Sequence, residues 1–160
     1  MPETAKPKGI DSPRAIKIIK IMSRVNIRLY RLTNGRIGGT WRVGSALRKP
    51  VPVCLVTVKG RKTGNPHTIP LLYLPDGDRV IIVASQGGLP KNPIWYLNIL
   101  TNPDVTIEVR KTTRTMRARV ATPEERAALW PRLVAQYADF DTYQARADRE
   151  IPVVICEPTP

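Results

Sequence analysis

Between Gly60 and Leu74 the chain reads GRKTGNPHTIPLLYL: two cations between glycines, then an apolar, strand-like run. Glycines let backbone N–H groups come close to an anion. Arg61 and Lys62 supply charge, Thr63 a hydroxyl, and Gly64 closes the turn. A solvated hairpin turn is the competing reading, and on the residues alone the commoner one. A second segment, ASQGGLPKNPIWYLN, runs from Ala84 to Asn98. It predicts a strand ending at Ser85, a glycine pair, and a helix from about Asn92-Pro93. Lys91 stands beside that helix start, where anions are favoured. A third segment, QYADFDTY, spaces Tyr137, Phe140 and Tyr143 three apart. On one helix they would form a single aromatic face able to cover a flat ring. Tyr137, Tyr143, Trp95 and Tyr96 could equally be ordinary core or anchor residues.

Other chemistries lack their residues. His67 stands alone in a strand-like run. Ser85 is not in a G-x-S-x-G elbow. GRKTG does not have the spacing of a Walker loop. One histidine and two cysteines make no convincing zinc site. A chain without a nucleophile–base pair or metal ligands must take its chemistry from an organic cofactor if it is an enzyme.

The elements that would position these segments are short. The 160 residues suit one domain, and 16 prolines and 10 glycines argue against long bundled helices. Strands are predicted over 51–59, 67–74 and 79–85, followed by the 92–100 helix. Two more strands, VTIEVRK and TMRARVA, flank TTR as a turn. In TPEERAALWPRL, Thr122 is an N-cap, Pro123 the first helical residue and Glu125 the third, a capping box. Pro131 is expected to bend or divide this helix. A helix over 140–149 and a final strand at PVVIC complete the reading. Cys54 and Cys156 lie in β-branched runs and read as buried free thiols in a reducing compartment. The pattern is a mostly antiparallel β domain, a barrel crossed by a few helices.

The net charge of +13 is concentrated at the start: residues 1–50 hold 12 Lys/Arg against Glu3 and Asp11. Residues 1–11 are polar and are expected to be disordered. Ser12-Pro13 reads as a helix N-cap with proline first. Ala15, Ile18, Met22, Val25, Leu29 and Leu32 then form an apolar stripe. Arg14, Lys17, Lys20, Arg24, Arg28 and Arg31 form a basic one nearly opposite. Three uses compete: a surface helix packed on its own domain, an interfacial helix on a membrane, and nucleic-acid binding. No segment is long and apolar enough for a membrane span, and no signal peptide is evident. A cytoplasmic protein is expected, with peripheral contact at the inner face of the cell membrane through residues 12–33 as the sharper alternative.

The combination of G-R-K-T-G, A-S-x-G-G-x-x-K-N-P-x-W-Y-x-N, ATPEERAALWPRL and I-P-V-V-x-C-E-P resembles the deazaflavin-dependent nitroreductase and quinone reductase family, from about Val25 to Pro158. The resemblance implies an α+β fold: a split, flavin-reductase-like β-barrel over 37–160, preceded by a flexible N-terminus and basic amphipathic helix over 1–36. It implies the reduced deazaflavin coenzyme F420 as hydride donor to quinones, nitroaromatics or activated alkenes. By similarity, Arg61, Lys62, Thr63 and Gly64 hold the cofactor's anionic end. Pro70, Ala84, Ser85, Gln86, Lys91, Asn92, Ile94 and Trp95 line its ring and side chain. Trp41, Leu72, Tyr137, Phe140 and Tyr143 enclose the acceptor, with Ser85, Tyr137 and Tyr143 as the candidate catalytic groups. The chain departs from some relatives by having Phe140 and Leu72 where they have tyrosine, and His67 and Gln86 where they have a basic residue. Small barrels of this kind often pair, so a homodimer is among the expectations. A non-catalytic cofactor carrier is the alternative function. A basic nucleic-acid-binding protein is a weaker one, and no nucleic-acid partner is expected.

Overall fold

The computed structural model describes residues 13–160. Ser12 and the polar stretch before it lie outside the described residues. Helix α1 runs over Pro13–Leu32. The strands are β1 (Thr40–Trp41), β2 (Val51–Lys59), β3 (Pro66–Leu72), β4 (Leu74–Asp76), β5 (Arg79–Val83), β6 (Asp104–Val109), β7 (Thr112–Val120) and β8 (Val153–Pro158). Three further helices are α2 (Ile94–Thr101), α3 (Pro123–Gln136) and α4 (Asp139–Arg146).

Every strand pairing is antiparallel, in the order β1-β2-β6-β7-β8-β5-β4, with β3 on the other side of β2. Only Tyr73 separates β3 from β4, so one stretch of chain pairs first with β2 and then with β5. The sheet thereby curls back on itself into a split barrel.

Side chains alternate across the strands with a period of two. Cys54, Val56, Val80, Ile82, Val154 and Cys156 point into the barrel. Ile81, Val83, Val153 and Ile155 point to the opposite face, where α3 and α4 cover them with Leu129, Leu133, Tyr137 and Phe140. Strands β5 and β8 are therefore buried on both faces, which is why VIIV and VVIC read as continuous apolar runs. Both cysteines are free and buried, and burial pushes both thiols up, Cys156 to about 12.

Several boundaries differ from the sequence reading. The predicted 67–74 strand breaks at Tyr73. The β6–β7 turn is Arg110-Lys111, and TTR is already paired strand: Val109 faces Thr112, and Arg110 has φ 54°. Helix α3 has its capping box on Thr122 and Glu125 but runs unbroken through Pro131. Pro131 and Ala127 are both exposed, so water can serve the carbonyl that the proline leaves without a donor.

Helix α1 does not pack its apolar stripe on the barrel. Ile18, Met22, Val25 and Leu32 are 57%, 66%, 50% and 80% exposed. The helix leans instead on a third face carrying Ser23, Asn26, Ile27 and Tyr30, and only Tyr30 is fully buried. The Tyr30 hydroxyl lies 3.2 Å from the carbonyl of Val53 and 3.3 Å from that of Glu108, and it accepts the N–H of Arg110 at 2.9 Å. Beside it Arg31 grips Glu108 through two nitrogens, at 3.0 and 2.7 Å. Tyr30→Phe leaves the part-buried Arg110 N–H without its acceptor and removes the hydroxyl from between the Val53 and Glu108 carbonyls. It should lower stability by about 1–3 kcal/mol, read as an earlier midpoint in urea. An unchanged midpoint would show that Tyr30 does not anchor the helix.

Candidate active site

A cavity of about 410 Å³ opens at one end of the barrel. Its walls include Pro70 and Leu72 from β3, Ser85 and Gly87 from the loop after β5, Trp41 from β1, and Tyr137, Phe140 and Tyr143. They include the five residues expected around the acceptor, and Pro70 and Ser85 from the expected cofactor set; Gly87 is in neither.

The aromatic wall is built differently from the single helical face its spacing predicted. Tyr137 is the extended residue that ends α3, with φ −142° and ψ 94°. Phe140 and Tyr143 belong to α4. The rings still converge: Tyr137 lies 5.1 Å from Phe140 and 6.1 Å from Tyr143 between centroids. The hydroxyls of Tyr137 and Tyr143 share a hydrogen bond of 3.1 Å. Burial first, and then this bond, raise the Tyr137 phenol well above its ordinary value, so it stays protonated. The Ser85 hydroxyl has no partner among the described residues.

The GRKTG segment sits at the other end of β3. From Pro66 to Pro70 the strand rises about 13 Å, which separates the loop from the cavity. The Gly60 N–H bonds the Asn65 carbonyl and the Gly64 N–H bonds the Gly60 carbonyl, both at 2.8 Å. Asn98 of α2 ties the loop down: its side-chain oxygen accepts the Arg61 N–H at 3.1 Å and a guanidinium nitrogen at 3.4 Å. Asn98 is 3% exposed. The N–H groups of Lys62 and Thr63 have no acceptor among the described residues. Arg61, Lys62 and Thr63 are exposed. The loop is thus a fixed cationic turn with free N–H groups.

The loop between β5 and α2 lies against α4. Ser85 is helical in backbone angle, while Gln86, Gly87 and Gly88 have φ of 44°, 64° and 77°. A side chain at Gly88 would meet the Tyr143 carbonyl at 2.5 Å, so glycine lets the loop approach α4. Asn92 is half-buried and accepts a hydrogen bond from Arg149 at 2.7 Å. Lys91, Gln86 and Ile94 are exposed beside this loop. Ala84 and Trp95 do not line the cavity. Both are buried in the barrel core, where Trp95 meets Tyr96 edge-on at 6.3 Å.

Three residues of this arrangement have no assigned role in the sequence reading. Asn98 was legible as the lone polar residue in IWYLNIL. Asn26 lines the cavity from α1, on neither of that helix's two stripes. Arg149 makes its contacts 57 to 65 residues away, and no local pattern marks them. Among the described residues no group of three His, Cys, Asp or Glu could hold a metal ion.

Residues 22–158 match the family of F420H(2)-dependent quinone reductases. The chain belongs to that family. A relative from Mycobacterium tuberculosis bearing this family name is 48% identical over 117 residues, 73% of this chain and 98% of its own. A second from that species, an F420H(2)-dependent quinone reductase, is 40% identical over 135 residues, 82% of this chain and 87% of its own. A solved F420-H2 dependent reductase is 36% identical and superposes with a TM-score of 0.63, over 66% of this chain and 94% of that one. A solved domain-swapped dimer, 31% identical with a TM-score of 0.64, covers 91% and 100%. Reduced F420 is the family's named cofactor. A molecule with an anionic end and a flat ring suits the observed geometry: a cationic turn with free N–H groups at one end of β3, and an aromatic cavity at the other.

Proposed function

We propose that this chain uses reduced F420 to reduce quinone-like acceptors, with nitroaromatics and activated alkenes as further substrates. The observation that carries this reading is the single strand, β3, that joins the cationic Gly60–Asn65 turn to the aromatic cavity. Arg61, Lys62, Thr63 and Gly64 hold the anionic end of the cofactor. Pro70 and the Ser85–Asn92 loop hold its ring side. When bound, reduced F420 supplies a hydride; reducing a quinone to a hydroquinone then takes one further proton. Ser85 and the Tyr137–Tyr143 pair hydrogen-bond the acceptor oxygen, and that proton comes from one of them or from water. Phe140 and Leu72 pack against the acceptor without hydrogen-bonding it.

Fluorescence titration with oxidised F420, beside flavin mononucleotide, tests the seat, and F420H2 oxidation by menadione tests turnover. Selective F420 binding with turnover is expected. Preference for the flavin would end this reading, and binding without turnover would leave a carrier.

Residues 1–36 serve the 37–160 barrel as a docking arm. Ile18, Met22, Val25, Leu29 and Leu32 of the apolar stripe are exposed, as are Arg14, Lys17, Lys20, Arg24 and Arg28 of the basic one, a surface that an anionic bilayer would fit. No described helix is long and apolar enough to cross a membrane. Asn26 brings the same helix to the cavity wall, so a lipid-soluble acceptor would enter beside it. The chain should sediment with anionic vesicles, less so as salt rises, and removal of residues 1–33 should abolish this. Equal binding to neutral vesicles would count against the basic face. The domain-swapped dimer of a relative supports self-association, and light scattering on the full chain measures it.

A further inference from the structure

Arg149 lies between α4 and β8, far in sequence from the loop it touches. Its guanidinium donates to the carbonyls of Ala84 (3.3 Å from both terminal nitrogens), Ser85 (3.1 Å), Leu89 (3.1 Å) and Lys91 (3.3 Å), and to the Asn92 side-chain oxygen (2.7 Å). One cation therefore gathers four carbonyls and an amide from nine residues of loop. Among the described residues no carboxylate is within ion-pair distance of it, although Asp148 and Glu150 flank it in sequence. Burial lowers its pKa. Its own carbonyl is held by Gln144 at 2.9 Å, and Gln144 is held in turn by Arg126 at 3.0 Å and by the Ile151 N–H at 2.8 Å. The arm is fixed before any ligand binds.

The collected carbonyls leave the other side of the backbone free. The Gly88 and Leu89 N–H groups close the turn on Ser85 and Gln86. Those of Ser85, Gln86 and Gly87 have no acceptor among the described residues. These three residues run from right-handed to left-handed backbone angles, the geometry in which successive N–H groups converge on one concave face. Ser85 and Gly87 line the cavity. We propose that Arg149 is a positioning residue, which gathers the carbonyls of the 84–92 loop so that its free N–H groups are set toward the cavity to receive an oxygen of the bound ring system. Its unneutralised charge adds to the positive potential of those groups. The inference rests on the proposed F420 function.

The test uses the full chain with Arg149→Ala and Arg149→Lys. Amide hydrogen exchange of residues 84–92 is followed without cofactor, and F420 affinity by fluorescence. Arg149→Ala should speed exchange in this loop and weaken F420 binding at least tenfold. Guanidinium ion, well below denaturing concentration, should restore the affinity. Arg149→Lys should recover little, because one ammonium cannot span the five acceptors. Rescue separates positioning from general loss of fold, since added guanidinium does not refold an unstable chain. Arg149→Ala with wild-type affinity overturns the proposal, as does weakened affinity that guanidinium leaves unchanged. If Arg149→Ala does not fold, Arg149→Lys decides by the same affinity and exchange readouts, and wild-type values there overturn the proposal. A wild-type chain that does not bind F420 fails the function itself, an outcome distinct from both.

Discussion

The double variant Arg61→Ala, Lys62→Ala should bind F420 about 100-fold more weakly than the wild type, with its melting temperature unchanged. Both side chains are exposed, and the long 3.4 Å contact of the Arg61 guanidinium with Asn98 is secondary to the Arg61 N–H that Asn98 also accepts at 3.1 Å. Each supplies a cation to one anionic ligand. A charge-assisted contact worth about 1.4 kcal/mol gives a tenfold change in affinity. Two such contacts give the stated factor, and the residual binding should lose most of its salt dependence. The loop itself survives, because Asn98 still accepts the N–H of residue 61. Asn98→Leu makes the contrasting case. It removes the buried acceptor, so the turn loses its seat on α2, and both stability and F420 affinity should fall. A double variant that binds within twofold of the wild type at low salt would show that the turn is only a turn.

What the sequence showed and what it hid follow from the range of the contacts involved. β-Branched apolar runs such as PVPVCLVTV and VIIV were legible as strands because they are short, bounded by turn residues and buried on both faces. The Thr122 capping box was legible because all its atoms lie within four residues. The GRKTG turn could be named as a candidate anion seat, but not as a fixed one, because its fastener is Asn98, 37 residues on. The 84–92 loop was visible as a glycine pair after a strand. The guanidinium that shapes it was not, because nothing local distinguishes Arg149 from the charged residues beside it. The motif groups Trp95 and Ala84 with the cofactor, and both side chains lie in the barrel core. Tyr137, Phe140 and Tyr143 do meet, although not through helical spacing: the chain leaves α3 at Tyr137 and begins α4 two residues later. The stripes of α1 fixed its amphipathic character but not its orientation. Tyr30 and Asn26, on neither stripe, decide which face meets the barrel.

The acceptor side of the cavity yields the second large effect. With Phe140 and Leu72 apolar, Ser85 and the hydroxyls of Tyr137 and Tyr143 are the polar groups on the aromatic side of the cavity, which Asn26 of α1 and Thr40 of β1 also line. Tyr143→Phe breaks the shared bond and leaves Tyr137 free to turn. Tyr137→Phe removes the more buried of the two phenols. The pair acts as one unit, so the double variant should lose little more than the worse single one. Loss of a preorganised donor costs about 10²–10³ in kcat, and menadione reduction at saturating F420H2 should fall by that order while F420 affinity stays within twofold. The pH profile supplies an independent check. Burial and the Tyr143 hydroxyl raise the Tyr137 pKa above the ordinary phenol value of about 10. Tyr137 therefore remains a neutral donor as pH rises, and kcat should show no alkaline fall from this group below about pH 10. A rise in kcat through about pH 8 that disappears in Tyr137→Phe would mean that the phenolate is the active form, and Tyr137 would then be a proton acceptor instead of the donor assigned here.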